Sequence, residues 1–88
     1  MDFSIRFTEE GKESLHRIHI DNQKKIKVSL KKFSKDVKSK KKLLGRLYGF
    51  YSLVVGKYRV IYTLEEDVIL VHYVGHRSDV YDDFEGKF

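Results

Sequence analysis

Ile26, Leu30, Phe33 and Val37 recur at i, i+4, i+7 and i+11, and Lys24, Lys25, Lys27, Lys31, Lys32, Lys35 and Lys38 fill positions around them. That spacing is one apolar stripe on a helix, and a helix with a single stripe must lay it on another apolar surface. The surface follows in the chain. Leu47 to Val55, Tyr58 to Leu64 and Val68 to Val74 are three runs dense in Val, Ile, Leu and Tyr, as half-buried strands are. Gly56-Lys57 reads as a two-residue turn with glycine first, and Glu65-Glu66-Asp67 as a second tight connection, so the three runs form an antiparallel meander.

The segments on either side complete the pattern. Phe3, Ile5 and Phe7 alternate with Ser4, Arg6 and Thr8, the period of a strand. Thr8 reads as the cap of a first helix, with Glu9 and Glu10 in its positive first turn and Gly11, Leu15 and Ile18 on one face, ending near His19 or Ile20. Asp21 or Asn22 caps the second helix, so a short loop around Ile20 to Asn22 folds the two into an antiparallel hairpin. Ser78 caps a last helical turn with Val80 and Phe84 on one side and Tyr81 on another. The expected fold is α+β, in the order β-α-α-β-β-β with a short C-terminal helical segment. The helical hairpin packs on one face of a small antiparallel sheet, and the opposite face is left for function.

Length and composition limit what such a fold can do. At 88 residues the chain buries about 60% of the surface it exposes when unfolded, enough for one domain over residues 1–88. A deep cofactor pocket is excluded. With no cysteine there is no disulfide scaffold, Cys-based zinc site or thiol nucleophile. No apolar run approaches the roughly 18 residues of a membrane span, and the N-terminus has no signal-peptide pattern. We expect a cytoplasmic protein with no membrane partner. His16 with His19, and His72 with His76, lack a carboxylate at ligand spacing, so neither a metal site nor a cofactor is expected.

Charge is segregated along the chain. Between Lys24 and Arg59 lie 13 basic residues and one acidic residue, Asp36, whereas the remainder holds 5 basic and 12 acidic residues. A polycationic middle attracts phosphate backbones by counterion release, and the acidic ends confine the attraction to one region. A solvated lysine-rich helix is the alternative reading of the same block.

Within the strands, Gly56-Lys57-Tyr58-Arg59-Val60-Ile61-Tyr62 followed by Val74-Gly75-His76-Arg77-Ser78-Asp79-Val80-Tyr81 resembles the signature of the RelE/ParE toxin superfamily, and of its RelE branch in particular. The likeness extends over nearly the whole chain. It implies a RelE-like fold and a toxin of a type II toxin–antitoxin system that enters the ribosome and cuts messenger RNA. A RelB-like protein antitoxin would neutralise it, and operator DNA would be met only through that complex. The chemistry implied is attack of a ribose 2′-OH on the adjacent phosphate, with no metal and no cofactor. On the family's pattern Arg59 stabilises phosphate charge, Arg77 neutralises the transition state or serves the leaving group, and Tyr81 stacks on or orients the nucleotide. His76 beside them is the candidate proton carrier. Lys24, Lys27, Lys31, Lys35, Lys38, Arg46 and Lys57 are the candidate RNA-binding cations.

One departure from that pattern changes the expectation. Active RelE-branch members carry Lys or Arg at alternate positions of the second strand, where this chain has Ser52 and Val54. With period two these share a face with Tyr48 and Phe50, giving a largely apolar stripe. Lys57, Arg46 or His76 would then have to replace the missing base. The stripe also suits an acidic, amphipathic antitoxin segment, unless Phe84 or Phe88 folds back over it. Two other functions fit the same fold: a ParE-type toxin that inhibits gyrase, and a degenerate RelE-like protein acting through antitoxin and DNA binding.

Overall fold

A computed structural model describes residues 2–37, 41–42 and 49–86. The elements in chain order are β1 (Ser4–Phe7), α1 (Glu9–His16), α2 (Ile20–Lys35), β2 (Lys41–Lys42), β3 (Tyr51–Val55), β4 (Tyr58–Glu65), β5 (Val68–His76) and α3 (Val80–Glu85). The expected α+β order stands, with the two-residue β2 added. Lys38, Arg46, Tyr48 and Phe88, and the Leu47 end of the expected second strand, lie outside the described residues.

The sheet order is β1-β5-β4-β3-β2. β3, β4 and β5 form the expected meander, but β1 pairs with β5 in parallel, so the sheet is mixed and not wholly antiparallel. The helical hairpin is the reason. It carries the chain away from the end of β1, and the meander then brings β5 back alongside β1 in the same direction, an arrangement that period-two patterning does not encode. Gly56 takes φ +58 at the first position of the β3–β4 turn, a backbone region that glycine enters without steric cost.

Both helices pack on one face of the sheet. Leu15, Ile26 and Leu30 bury against Val60, Tyr62, Ile69, Val71 and Val74, with Ile5, Phe7, Phe33 and Leu53 around them. Tyr62 is fully enclosed between Phe33, edge-on at 5.4 Å, and Tyr51, stacked at 5.6 Å. Burial, helped by the neighbouring Tyr51 phenol, pushes the Tyr62 hydroxyl up to about 12.

The helix ends differ from the sequence expectation at the hairpin. Thr8 does cap α1, its Oγ1 accepting the Gly11 N–H at 3.0 Å. The helix stops at His16, however, and the cap of α2 is His19, whose Nδ1 accepts the Asp21 N–H at 3.2 Å, rather than Asp21 or Asn22. Ile18 turns inward against the core and closes the connection earlier than the caps suggested. Its carbonyl accepts from the largely buried Gln23 side chain at 2.7 Å.

α1 rides directly on β5. A Cβ at Gly11 would run into the Val71 carbonyl, so only glycine permits this approach. Where β1 gives out, α1 satisfies the next backbone group of β5. The Val74 N–H donates to Ser14 Oγ at 2.9 Å, and Ser14 Oγ donates to the Gly11 carbonyl at 2.9 Å.

Candidate functional site

Strand pairing fixes which side chains share the face away from the helical hairpin. Ser52 lies opposite Ile61, Val54 opposite Arg59, and Arg59 opposite Gly75, whereas Tyr58, Val60 and Tyr62 alternate onto the helix side. α3 covers part of this second face, with Val80 and Phe84 packed on Ile61 and Tyr73. Gly75 makes room for it, since a Cβ there would press on Val80 Cγ2 at 3.2 Å. β5 carries one extra residue where its pairing with β4 shifts between Ile61 and Tyr62. His72 is the unpaired residue. Its Nε2 lies 2.8 Å from Thr63 Oγ1, and its ring lies edge-on to Phe50 at 5.0 Å. Burial lowers the His72 pKa against the opposing pull of Glu65.

The expected Arg59, Arg77 and Tyr81 fall unequally on this framework. Arg59 is half-buried on the open part of the second face, flanked by Val54, which is 54% exposed, and by the side-chain-free Gly75. Its Nη1 donates to the Tyr58 carbonyl at 3.4 Å. Tyr81 is half-buried on the same face, and its hydroxyl lies 3.0 Å from Ser52 Oγ. Ser52 is only 5% exposed, so the phenol is held by a hydroxyl that water scarcely reaches. Arg77 is exposed at the end of β5, anchored through its backbone N–H to the Lys57 carbonyl at 2.7 Å. It makes no ion pair with Asp79, Asp82 or Asp83, so its guanidinium charge is uncompensated by them.

His76 is placed elsewhere. It pairs with Tyr58 across the ladder, its ring edge-on to the Tyr58 ring at 6.0 Å, and so leaves on the side opposite Arg59. Its Nδ1 accepts the Ser78 N–H at 3.2 Å and lies 2.8 Å from Ser78 Oγ. The neutral ring therefore carries its proton on Nε2, as a donor, and its lone pair is engaged. The second helix separates another group. Lys24, Lys27, Lys31 and Lys35 are exposed on α2, on the helix side of the sheet, with Lys27, Lys31 and Lys35 beside β1. The sheet lies between them and Arg59. Among the described candidate cations, Lys57, exposed in the β3–β4 turn, stands where the two sides meet.

The apolar stripe is shorter than its sequence suggests. Phe50 is covered by Phe84 at 5.2 Å, which leaves Val54 as its exposed member among the described residues. Sequence reasoning also missed that Ser52, read as a lost cation, serves as the partner of Tyr81. Shared period-two register with Ile61 was the available signal, but the position of α3 was needed to use it. Among the described residues no three His, Asp or Glu side chains converge as metal ligands, and no helix is long and apolar enough to cross a membrane.

This order of elements and this sheet are the RelE-like fold. The chain superposes with TM-score 0.76 on the RelBE2 toxin–antitoxin complex from Mycobacterium tuberculosis, at 23% identity over 88% of this chain and 100% of that one. It matches free E. coli RelE, a variant with two arginines replaced by alanine, with TM-score 0.76 at 20% identity, covering 100% and 99% of the two chains. The RelB–RelE complex from Methanococcus jannaschii follows at TM-score 0.68 and 24% identity, covering 90% and 98%. No curated protein matches the sequence. The family model for the ParE toxin of the type II toxin–antitoxin system parDE matches residues 5–81, and the chain belongs to that family. It is a type II toxin of the RelE/ParE superfamily.

Proposed function

We propose that this toxin is a ribosome-dependent messenger RNA endoribonuclease that blocks translation. The observation that carries the reading is the pairing, on one sheet face, of the half-buried Arg59 with a Tyr81 phenol held by Ser52. A cation and an oriented hydroxyl on one sheet face suit a reaction whose charge develops on phosphate oxygens. The 2′ oxygen of a ribose attacks the adjacent phosphorus, the bond from phosphorus to the 5′ oxygen breaks, and the products are a 2′,3′-cyclic phosphate and a 5′-hydroxyl. Arg59 and Arg77 balance the phosphorane charge, and Tyr81 orients the nucleotide or passes a proton. The Ser78 contact makes His76 a donor through Nε2 rather than the base, and the proton lost by the 2′ hydroxyl is returned to the leaving 5′ oxygen. A RelB-like antitoxin neutralises the toxin, and contact with operator DNA is made through that complex. Lys24, Lys27, Lys31 and Lys35 hold ribosomal RNA from the helix side.

A second reading is gyrase inhibition of the ParE type. The ParE family match and the absence of cations at Ser52 and Val54 favour it. Pulse labelling after induction separates the two. The nuclease reading expects amino-acid incorporation to collapse while messages are cut and thymidine incorporation continues at first. A replication block with intact messages would replace it with the gyrase reading.

A further inference from the structure

On the helix side of the β3–β4 turn, α2 and the sheet end enclose a groove of about 400 Å³. Exposed Lys25 and Lys57 line it, with the polar ends of Asn22 and Tyr58 and the apolar Ile26 and Val55. Asn22 Nδ2 donates to the Tyr58 hydroxyl at 3.3 Å, which leaves the second amide N–H and the phenol O–H as donors. Two lysines, an amide and a phenol therefore line one groove, and no carboxylate is among its described lining residues. That inventory fits an anion with several acceptor oxygens.

The position of the groove identifies which anion. Lys57 is tied through its carbonyl to the Arg77 N–H, and Tyr58, which faces the groove, precedes Arg59, which faces the other side. A small anion would occupy one side only. A phosphodiester chain crossing the end of the sheet would meet Lys25 and Lys57 first and then Arg77 and Arg59.

We infer that the Lys25–Lys57 groove is a phosphodiester subsite that holds the RNA backbone on the helix side of the β3–β4 turn, away from the reacting phosphate at Arg59. This rests on the RNA reading above. Asn22 and Tyr58 supply the geometry, because their mutual hydrogen bond fixes where the remaining donors point. The two lysines supply the charge.

The test uses the whole chain with two probes, inorganic phosphate and a fluorescent oligoribonucleotide carrying 2′-O-methyl groups, which cannot be cut by 2′-hydroxyl attack. Amide NMR should show both probes moving the Asn22 side-chain resonances and the Gly56 and Lys57 backbone resonances. The Lys25→Ala/Lys57→Ala variant should weaken oligonucleotide binding and lower the slope of log affinity against log salt by about 0.7 for each phosphate it no longer neutralises. Lys12→Ala, near β1, should change neither. If the oligonucleotide moves only resonances around Arg59 and Gly75, and the double variant keeps the parental slope, the subsite is refuted while RNA binding stands. If phosphate moves the groove resonances but the oligonucleotide does not, the groove is a small-anion site and the phosphodiester subsite is refuted, whereas failure of the RNA reading itself is read separately, from messages left intact in a translating extract.

Discussion

The contact between Ser52 and Tyr81 predicts an asymmetric pair of stability losses. Ser52 is 5% exposed and its Oγ lies 3.0 Å from the Tyr81 hydroxyl, while Tyr81 itself is only partly buried. Tyr81→Phe leaves a buried serine hydroxyl without its partner, at a cost of about 1–3 kcal/mol. Ser52→Ala leaves a phenol that can turn to water, and should cost only the net worth of the bond, about 0.5–1.5 kcal/mol. The double variant removes both groups, so its loss should fall short of the sum of the single losses by about 1 kcal/mol. Urea unfolding of the four proteins at constant m-value reads all of these differences. Additive losses, or Ser52→Ala costing more than Tyr81→Phe, would show that Ser52 does not hold the phenol. If the orientation matters to function, Ser52→Ala should lower cleavage with RNA affinity unchanged, and Ser52→Thr, which keeps the hydroxyl, should restore it.

Gly11→Ala gains up to about 1 kcal/mol of helix propensity but forces α1 off the Val71 carbonyl, an overpacking cost of about 1–3 kcal/mol. The clash should win, so Tm should fall by several degrees, and a stabilised variant would contradict the packing described. His72 is held below its ordinary pKa of 6.5 by burial, so the unfolded chain binds a proton before the folded chain does. The stability that neutral His72 provides is complete above pH 6.5 and is lost as pH falls through its lowered folded-state value, at no more than about 1.4 kcal/mol per pH unit. His72→Gln should flatten the stability profile over that window, and an unchanged slope would assign it to other groups. Val54 is exposed directly opposite Arg59, so Val54→Glu should neutralise the guanidinium and weaken RNA binding, whereas Val54→Lys should strengthen it. Equal binding by both would show that RNA does not reach this face.

The α2 stripe was legible because four apolar residues at helical spacing leave one arrangement, and Ile26, Leu30, Phe33 and Val37 do face the sheet. The meander was legible for a similar reason, since Gly56-Lys57 marks its own turn. The parallel pairing of β1 was hidden, because alternation reports which face a residue takes but not the direction of its neighbour. The His19 cap was hidden behind the stronger capping preference of Asp21 and Asn22, and the inward turn of Ile18 decided the hairpin end instead. In the candidate site, Arg59 could be assigned a face from strand period alone. The contact between Tyr81 and Ser52 joins residues 29 apart in sequence and depends on where α3 settles, which no local pattern records. His76 looked close to the arginines in sequence, yet one strand position sends it to the opposite side from Arg59.

Cleavage of messages on the ribosome can be read by primer extension in a translating extract, with the purified chain, with Arg59→Ala, and with ribosomes left out. Discrete cuts that require ribosomes and disappear with Arg59→Ala are the expected result. Messages that stay intact at saturating wild-type protein would overturn the nuclease reading.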